Sequence, residues 1–432
     1  MNTNRRKFIT SAAAGGGVLA IAPLSSCCDT EGSKYQEPDY AALDKAMQSP
    51  ILKRELFSSP VIIETLDLLR DRNNFICRVR SKEGAEGISI GHPFISKESY
   101  PMFINLLKPL FIGKDARDLD TLVIQAAENF VKRQGIPLCV QIATIEFAIL
   151  DMLGNIANKP VGSLIGDICN PKVEIYLGTR LWELRKKEPE ESLSLVKQDY
   201  IETKAKAIKL RAGVGDNSGS DKDNASGRTE KLIKMAREMF GDEMILMIDG
   251  NGTYSVKEAI RIGKILEEYN YYFWEEPVPW DWYEEQKQVA EALKIKMAGG
   301  EVEFGMHAFR WLIANGAFEI FQPDLFYFGG MIRSMKVARM AEITGKTIAP
   351  HMSEGGLGFL YMLHMVSALP NADKYHEFKM FETRDANGTR IPVQSKAEAF
   401  KSVDGVIDVP KGSGLGIEID PEYIKTHREV AG

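Results

Sequence analysis

From residue 172 onward, short apolar runs alternate with amphipathic stretches of helical period. The runs cover 173–178, 207–210, 244–248, 271–274, 295–298, 320–322, 347–349 and 374–376, and intervening helices are predicted at 229–240, 256–269, 306–314 and 331–344. Eight strand–helix repeats in succession predict an α/β fold, a (β/α)8 TIM-like barrel spanning 171–378. Upstream the texture differs. Two segments, 61–69 and 75–80, alternate apolar and polar positions around Asp71-Arg72-Asn73-Asn74 and predict a hairpin, with a third strand near 87–90 and helical patterns near 98–110, 116–133 and 140–156. That is an α+β capping domain, 50–170. The loop-rich stretch 379–432 is expected to pack back on it. One interval breaks the barrel rhythm: 213–227 is rich in Gly, Ser, Asp and Asn and holds no apolar run. A lid and a disordered insertion both fit such a loop.

Composition narrows the field. The formal charge is −6 over 432 residues, which argues against a nucleic-acid surface and its basic stripe. Three cysteines outside the leader, Cys77, Cys139 and Cys169, are odd in number and widely spaced; they read as buried or inert thiols, with no disulfide framework or zinc site. Arg5-Arg6-Lys7 before an uncharged Ala- and Gly-rich run reads as an export signal of the twin-arginine type, with the tether ending near residue 33. Leu24-Ser25-Ser26-Cys27 resembles a lipobox, so a lipid anchor at Cys27 is the one membrane link expected, in a periplasmic or envelope protein; a basic tail with a flexible Gly stretch is the plainer reading. No later segment reads as a bilayer-spanning helix.

Chemistry collects at the run ends. In order they carry Lys209 and Arg211, Asp249, Glu275, Glu301, Asp324, His351 and Glu377. Asp249 to Glu275 and Glu275 to Glu301 are each 26 positions; the next steps are 23, 27 and 26. A βα unit recurs at about that length, so all these groups fall on one rim, the C-terminal rim where barrel active sites lie. Three carboxylates converging without a partner would raise each other's pKa. A divalent cation removes that cost, and Asp249, Glu275 and Glu301, with oxygen donors alone, select Mg2+, with Mn2+ as the alternative. Such an ion takes the charge that moves onto a substrate carboxylate when its α-proton leaves. His351 has the intrinsic pKa of a base, and Asp324 can hold its second ring nitrogen. Lys209 and Arg211, two apart, share a strand face. A protonated Glu377 could donate to the substrate oxygen. Glu276 and Glu303 read as merely solvated, and His307 and His364 as structural.

The motifs Lys209-Leu210-Arg211, Asp249-Gly250-Asn251, Trp274-Glu275-Glu276-Pro277, Gly299-Gly300-Glu301, Gln322-Pro323-Asp324, Pro350-His351 and His376-Glu377, with the segment from Glu146 to Gly166, resemble the enolase superfamily and its mandelate racemase-like subgroup. The resemblance implies that Asp249, Glu275 and Glu301 bind Mg2+, that His351 and Asp324 form a catalytic dyad, that Glu377 stabilises the enolate oxygen, and that the chain forms a homo-oligomer. His92, Asn251 and Trp280 are weaker candidates for contacts to a small carboxylate substrate. One departure matters: the family often has a second lysine where this chain has Arg211, and an arginine does not readily act as a base. A one-base reaction follows, syn dehydration of an aldonate or aldarate to a 2-keto-3-deoxy acid. Alternatives are a cycloisomerase of an anhydro sugar acid, an epimerase using Lys209 as second base, and a non-catalytic sugar-acid binder, which would not need His351.

Overall fold

The computed structural model describes residues 39–178, 184–353, 357–379, 387, 393–394 and 401–431. The expected signal, its paired arginines and Cys27 lie outside the described residues.

Strands β1 (Ile63–Asp71), β2 (Asn74–Ser81) and β3 (Glu86–Ile90) form the antiparallel sheet that the alternation predicts, with Leu69 opposite Ile76 and Asp71 opposite Asn74. The helix Ile136–Ala157 packs on β3 so closely that a Cβ at Gly87 would lie 2.1 Å from the Ala148 carbonyl oxygen; only glycine fits there. The same helix corrects one expectation. It is 22 residues long and its most apolar 18-residue stretch has a mean hydropathy of 1.8, so by length and composition it could cross a bilayer. It is apolar on all sides because it is the core helix of the cap, with 83% of its most apolar window buried.

All eight predicted barrel strands form. They are β4 (Lys172–Leu177), β5 (Ala207–Arg211), β6 (Ile245–Asp249), β7 (Phe273–Glu275), β8 (Lys296–Gly299), β9 (Ile320–Phe321), β10 (Thr347–Ile348) and β11 (His376–Phe378). Neighbours pair in parallel in the order β10-β9-β8-β7-β6-β5-β4-β11. The ring closes through a parallel bridge from Ile348 to Ala372, just before β11. The protein is thus an α/β TIM-like barrel under an N-terminal α+β cap. Inside the barrel, Tyr176, Ala207, Met247, Phe273, Ala298, Ile320, Ala349 and Tyr375 form a buried cluster of their own. Side chains two residues further along a strand share its face. Ala207 therefore sets Lys209 inward, Met247 sets Asp249 and Phe273 sets Glu275.

Cap and barrel are joined by buried polar contacts. Glu146, on the long cap helix, accepts N–H bonds from Met331 and Ile332 at the start of the barrel helix Met331–Ile343. Asp151 on the same helix accepts from Ile88 at 2.9 Å and from Leu415 at 2.9 Å. The C-terminal segment touches both units: Val406–Asp408 pairs antiparallel with β4, and Arg428–Glu429 pairs with β1.

The 213–227 loop is ordered, which sets aside the disordered insertion. Its backbone is bonded to the segment after β6, from Asn217 to Asn251, Gly219 to Gly252 and Asp221 to Thr253, at 2.9–3.2 Å. Asp221 also accepts from the Ser255 amide at 2.6 Å and its hydroxyl at 2.9 Å. The polar residues that look like disorder in sequence make these contacts. Cys77 and Cys139 are buried as expected, whereas Cys169 is exposed.

Candidate active site

Asp249, Glu275 and Glu301 end three adjacent strands, and each offers an oxygen within 4.8 Å of the others. An ion bonded at about 2.1 Å holds neighbouring oxygens roughly 3–4 Å apart, so a small inward adjustment suffices. Glu301 Oε2 is buried and accepts no hydrogen bond among the described residues, which leaves it available as a ligand atom. Burial, with the Asp249 charge beside it, pushes Glu275 well above the usual carboxylate range against the pull of Lys209. All-oxygen donors under this mutual repulsion fit a hard divalent cation.

Cations flank the triad. Lys209 Nζ donates to both oxygens of Glu275, at 2.7 and 2.8 Å, and lies 3.7 Å from Glu377. Burial alone would pull this lysine down, but Glu275 and Glu377 outweigh it and keep the ammonium charged. Arg211 donates to Asp249 and, at 2.6 Å, to Asn251 Oδ1. Asn251 bonds Glu301 through Nδ2 at 3.1 Å, so one amide spans two of the three carboxylate strands. Its left-handed backbone (φ 40°) and that of Glu276 (φ 35°) directly follow the strand ends, where functional sites store strain.

His351 sits at the Glu301 end. Its Nδ1 lies 2.8 Å from Asp324 Oδ2, which turns Nε2 toward the triad, 3.4 Å from Glu301 and 3.5 Å from Glu377. Asp324 also accepts backbone N–H bonds from Phe326, Tyr327 and Ser353. Burial pushes its carboxyl up, and the His351 bond with these donors brings it below the ordinary range. Burial would raise Glu377, but Lys209, Lys379 and His351 hold it well below the usual range, which favours its carboxylate form in the free site.

The weaker candidates divide. Asn251 joins the site. His92 is buried at the cap–barrel seam, its Nδ1 accepting from Phe94 and Ile95 and its ring 5.4 Å from that of Phe326. Burial pulls it down to about 4, so it is neutral. Trp280 has its amide bonded to Asn217 at 3.0 Å and its ring against Phe304. Glu276 and Glu303 are not solvated. Glu276 is buried and accepts from Gly300, and Glu303 accepts from Phe304 and Gly305 at the start of the helix Met306–Ala314. His364 is structural, its Nε2 3.1 Å from the Leu415 carbonyl. Three residues escape sequence reasoning: Arg185, Gln322, which donates to Glu275 at 2.9 Å, and Lys379, 3.4 Å from Glu377. Gln322 stood in a motif two residues before Asp324; the other two follow strands at irregular spacing and carry no signal.

The sequence matches the enolase C-terminal domain-like family over residues 192–423 and the N-terminal domain of mandelate racemase / muconate lactonizing enzyme over 62–166. The chain belongs to the mandelate racemase-like group of the enolase superfamily. An arabinonate dehydratase from Saccharolobus solfataricus is 28% identical over 319 residues, covering 73% of this chain and 79% of that protein. A D-galactarolactone cycloisomerase from Agrobacterium fabrum is 26% identical over 323 residues, covering 73% and 82%. In fold the chain resembles the crystal structure of a mandelate racemase/muconate lactonizing protein from Paracoccus denitrificans complexed with magnesium, with a TM-score of 0.74 and 24% identity over 86% of this chain and 99% of that one. The chain is an enzyme of this group, in which lyase and isomerase chemistries both occur.

Proposed function

We propose that this superfamily member is a Mg2+-dependent acid-sugar dehydratase, converting an aldonate or aldarate to a 2-keto-3-deoxy acid. The observation that carries the reading is the asymmetry of the site. One imidazole, oriented by Asp324, faces the triad from the Glu301 end, while the Asp249 end holds Arg211. Lys209, charged and bonded twice to Glu275, is poorly placed to serve as a second base.

Asp249, Glu275 and Glu301 would hold the ion, which when bound supplies a sink for the negative charge developing on the substrate carboxylate. His351 Nε2 takes the proton from the α-carbon. The resulting imidazolium, stabilised by Asp324 and Glu377, protonates the β-hydroxyl, which leaves as water as the Cα–Cβ double bond forms. Tautomerisation of the enol yields the 2-keto acid, so substrate equals product plus one water. Lys209 and Arg211 present N–H donors to the carboxylate and its neighbouring hydroxyl. The D-galactarolactone cycloisomerase likeness supports a second reading, in which a ring oxygen leaves in place of the hydroxyl. Export by the Arg5-Arg6 signal, with or without a lipid at Cys27, belongs to the proposal on sequence grounds alone.

Incubation with Mg2+ and a panel of aldonates and aldarates, read by a 2-keto-3-deoxy acid assay, is expected to give turnover. His351→Asn should reduce it by 10^3-fold or more while Mg2+ still binds. Deuterium from D2O entering unreacted substrate with no keto acid formed would instead mark an epimerase.

A further inference from the structure

Arg185 follows the first barrel strand and is 2% exposed. Its Nη2 donates to Asn251 Oδ1 at 2.6 Å, the same oxygen that accepts from Arg211 at 2.6 Å. Two guanidiniums therefore meet on one neutral amide oxygen at the Asp249 end of the triad. The 213–227 loop fixes this arrangement: Val214 offers its carbonyl to Arg185 Nη1 at 3.4 Å, and Gly215, with φ 71°, runs so close that a Cβ there would lie 1.4 Å from that nitrogen. Like charges brought together in a buried place favour an anion or an electron-rich oxygen between them. Burial, with the Arg211 charge beside it, pulls Arg185 down to about 10, which leaves it charged at neutral pH.

We propose that Arg185 and Arg211 form a two-guanidinium clamp for substrate oxygens on the side away from His351, and that the 213–227 loop serves to hold Arg185 in it. This rests on the acid-sugar reading and sharpens it. The clamp selects a polyhydroxylated acid, with a hydroxyl beside the reacting carbon, over a 2-hydroxy acid with an apolar side chain. Arg211 occupies the place of a base with a donor, and Arg185 doubles that donor, so the same arrangement accounts for one-base chemistry and for a sugar-like substrate.

The test compares wild type, Arg185→Ala and Gly215→Ala, using D-arabinonate, D-xylonate and D-galactonate as probes, each read by turnover and by calorimetric binding with Mg2+ present. Gly215→Ala removes no polar group but pushes Arg185 aside. Both variants are expected to raise KM, or Kd, tenfold or more, with a smaller fall in kcat and unchanged Mg2+ affinity; methylguanidine should restore part of the loss in Arg185→Ala alone. Unchanged substrate affinity in Arg185→Ala overturns the clamp, as does a loss accompanied by equal loss of Mg2+ affinity, which a structural role would produce. Wild type that binds these acids without converting them overturns the dehydratase reading while the variants still decide the clamp; wild type that neither binds nor converts any of them overturns both.

Discussion

At the scale of single residues, the site is a problem in charge placement. Asp249, Glu275 and Glu301 are buried together, and Lys209 and Arg211 offset only part of their repulsion. Glu275, pushed up by burial and by Asp249, binds a proton more readily than an isolated carboxylate, and a cation must displace that proton. Mg2+ affinity should therefore rise with pH, and binding should release whatever proton Glu275 carries. Calorimetric titration with Mg2+ in PIPES and in Tris reads this as a buffer-dependent heat; equal heats in the two buffers would count against it. The sequence showed these acids because they recur at strand-end spacing. It could not show that cations surround Glu377, because Lys379 and His351 reach it only in the folded barrel.

At the scale of elements, the 213–227 loop is the largest departure from expectation. Composition alone suggested a mobile segment, yet Asp221 takes two bonds from Ser255, which itself caps the helix Val256–Glu268 by accepting from Glu258. Asp221→Ala should cost about 1–2 kcal/mol of stability, the range for a lost cap or charged hydrogen bond, and should open the loop to limited proteolysis near residue 220. Unchanged cleavage there would mean the loop is held by other contacts. The strands were legible because each is a short apolar run between polar turns. The cap helix Ile136–Ala157 is legible as a helix near 140–156, but its full length and uniform apolarity come from burial on every side, which no periodicity reveals.

At the scale of the whole molecule, buried histidines make stability depend on pH. His364 and His376 are fully enclosed, and burial lowers each from 6.5 to about 4. A histidine in the unfolded chain takes up a proton below 6.5, whereas the folded protein refuses it until about pH 4. Their contribution is therefore complete above pH 6.5 and falls as the pH drops toward 4, by about 2 kcal/mol per residue at pH 5. In urea unfolding, His364→Gln, which keeps a donor for the Leu415 carbonyl, should therefore lose less stability than wild type between pH 6.5 and 4. A variant with the wild-type slope would remove His364 from this account.

The chain by itself determined the repeat, the barrel and cap, the family, and the order of the groups at the strand ends. These are properties of local periodicity and spacing, which neighbouring residues impose through the pleat and the helical turn. Tertiary structure alone decided what depends on approach across the barrel: Arg185 meeting Arg211 on Asn251, Gln322 reaching Glu275, Glu276 buried, and a polar loop pinned beside the site. Partners dozens of positions apart are brought within 3 Å by barrel closure, and electrostatic energy depends on that distance, which linear order does not encode.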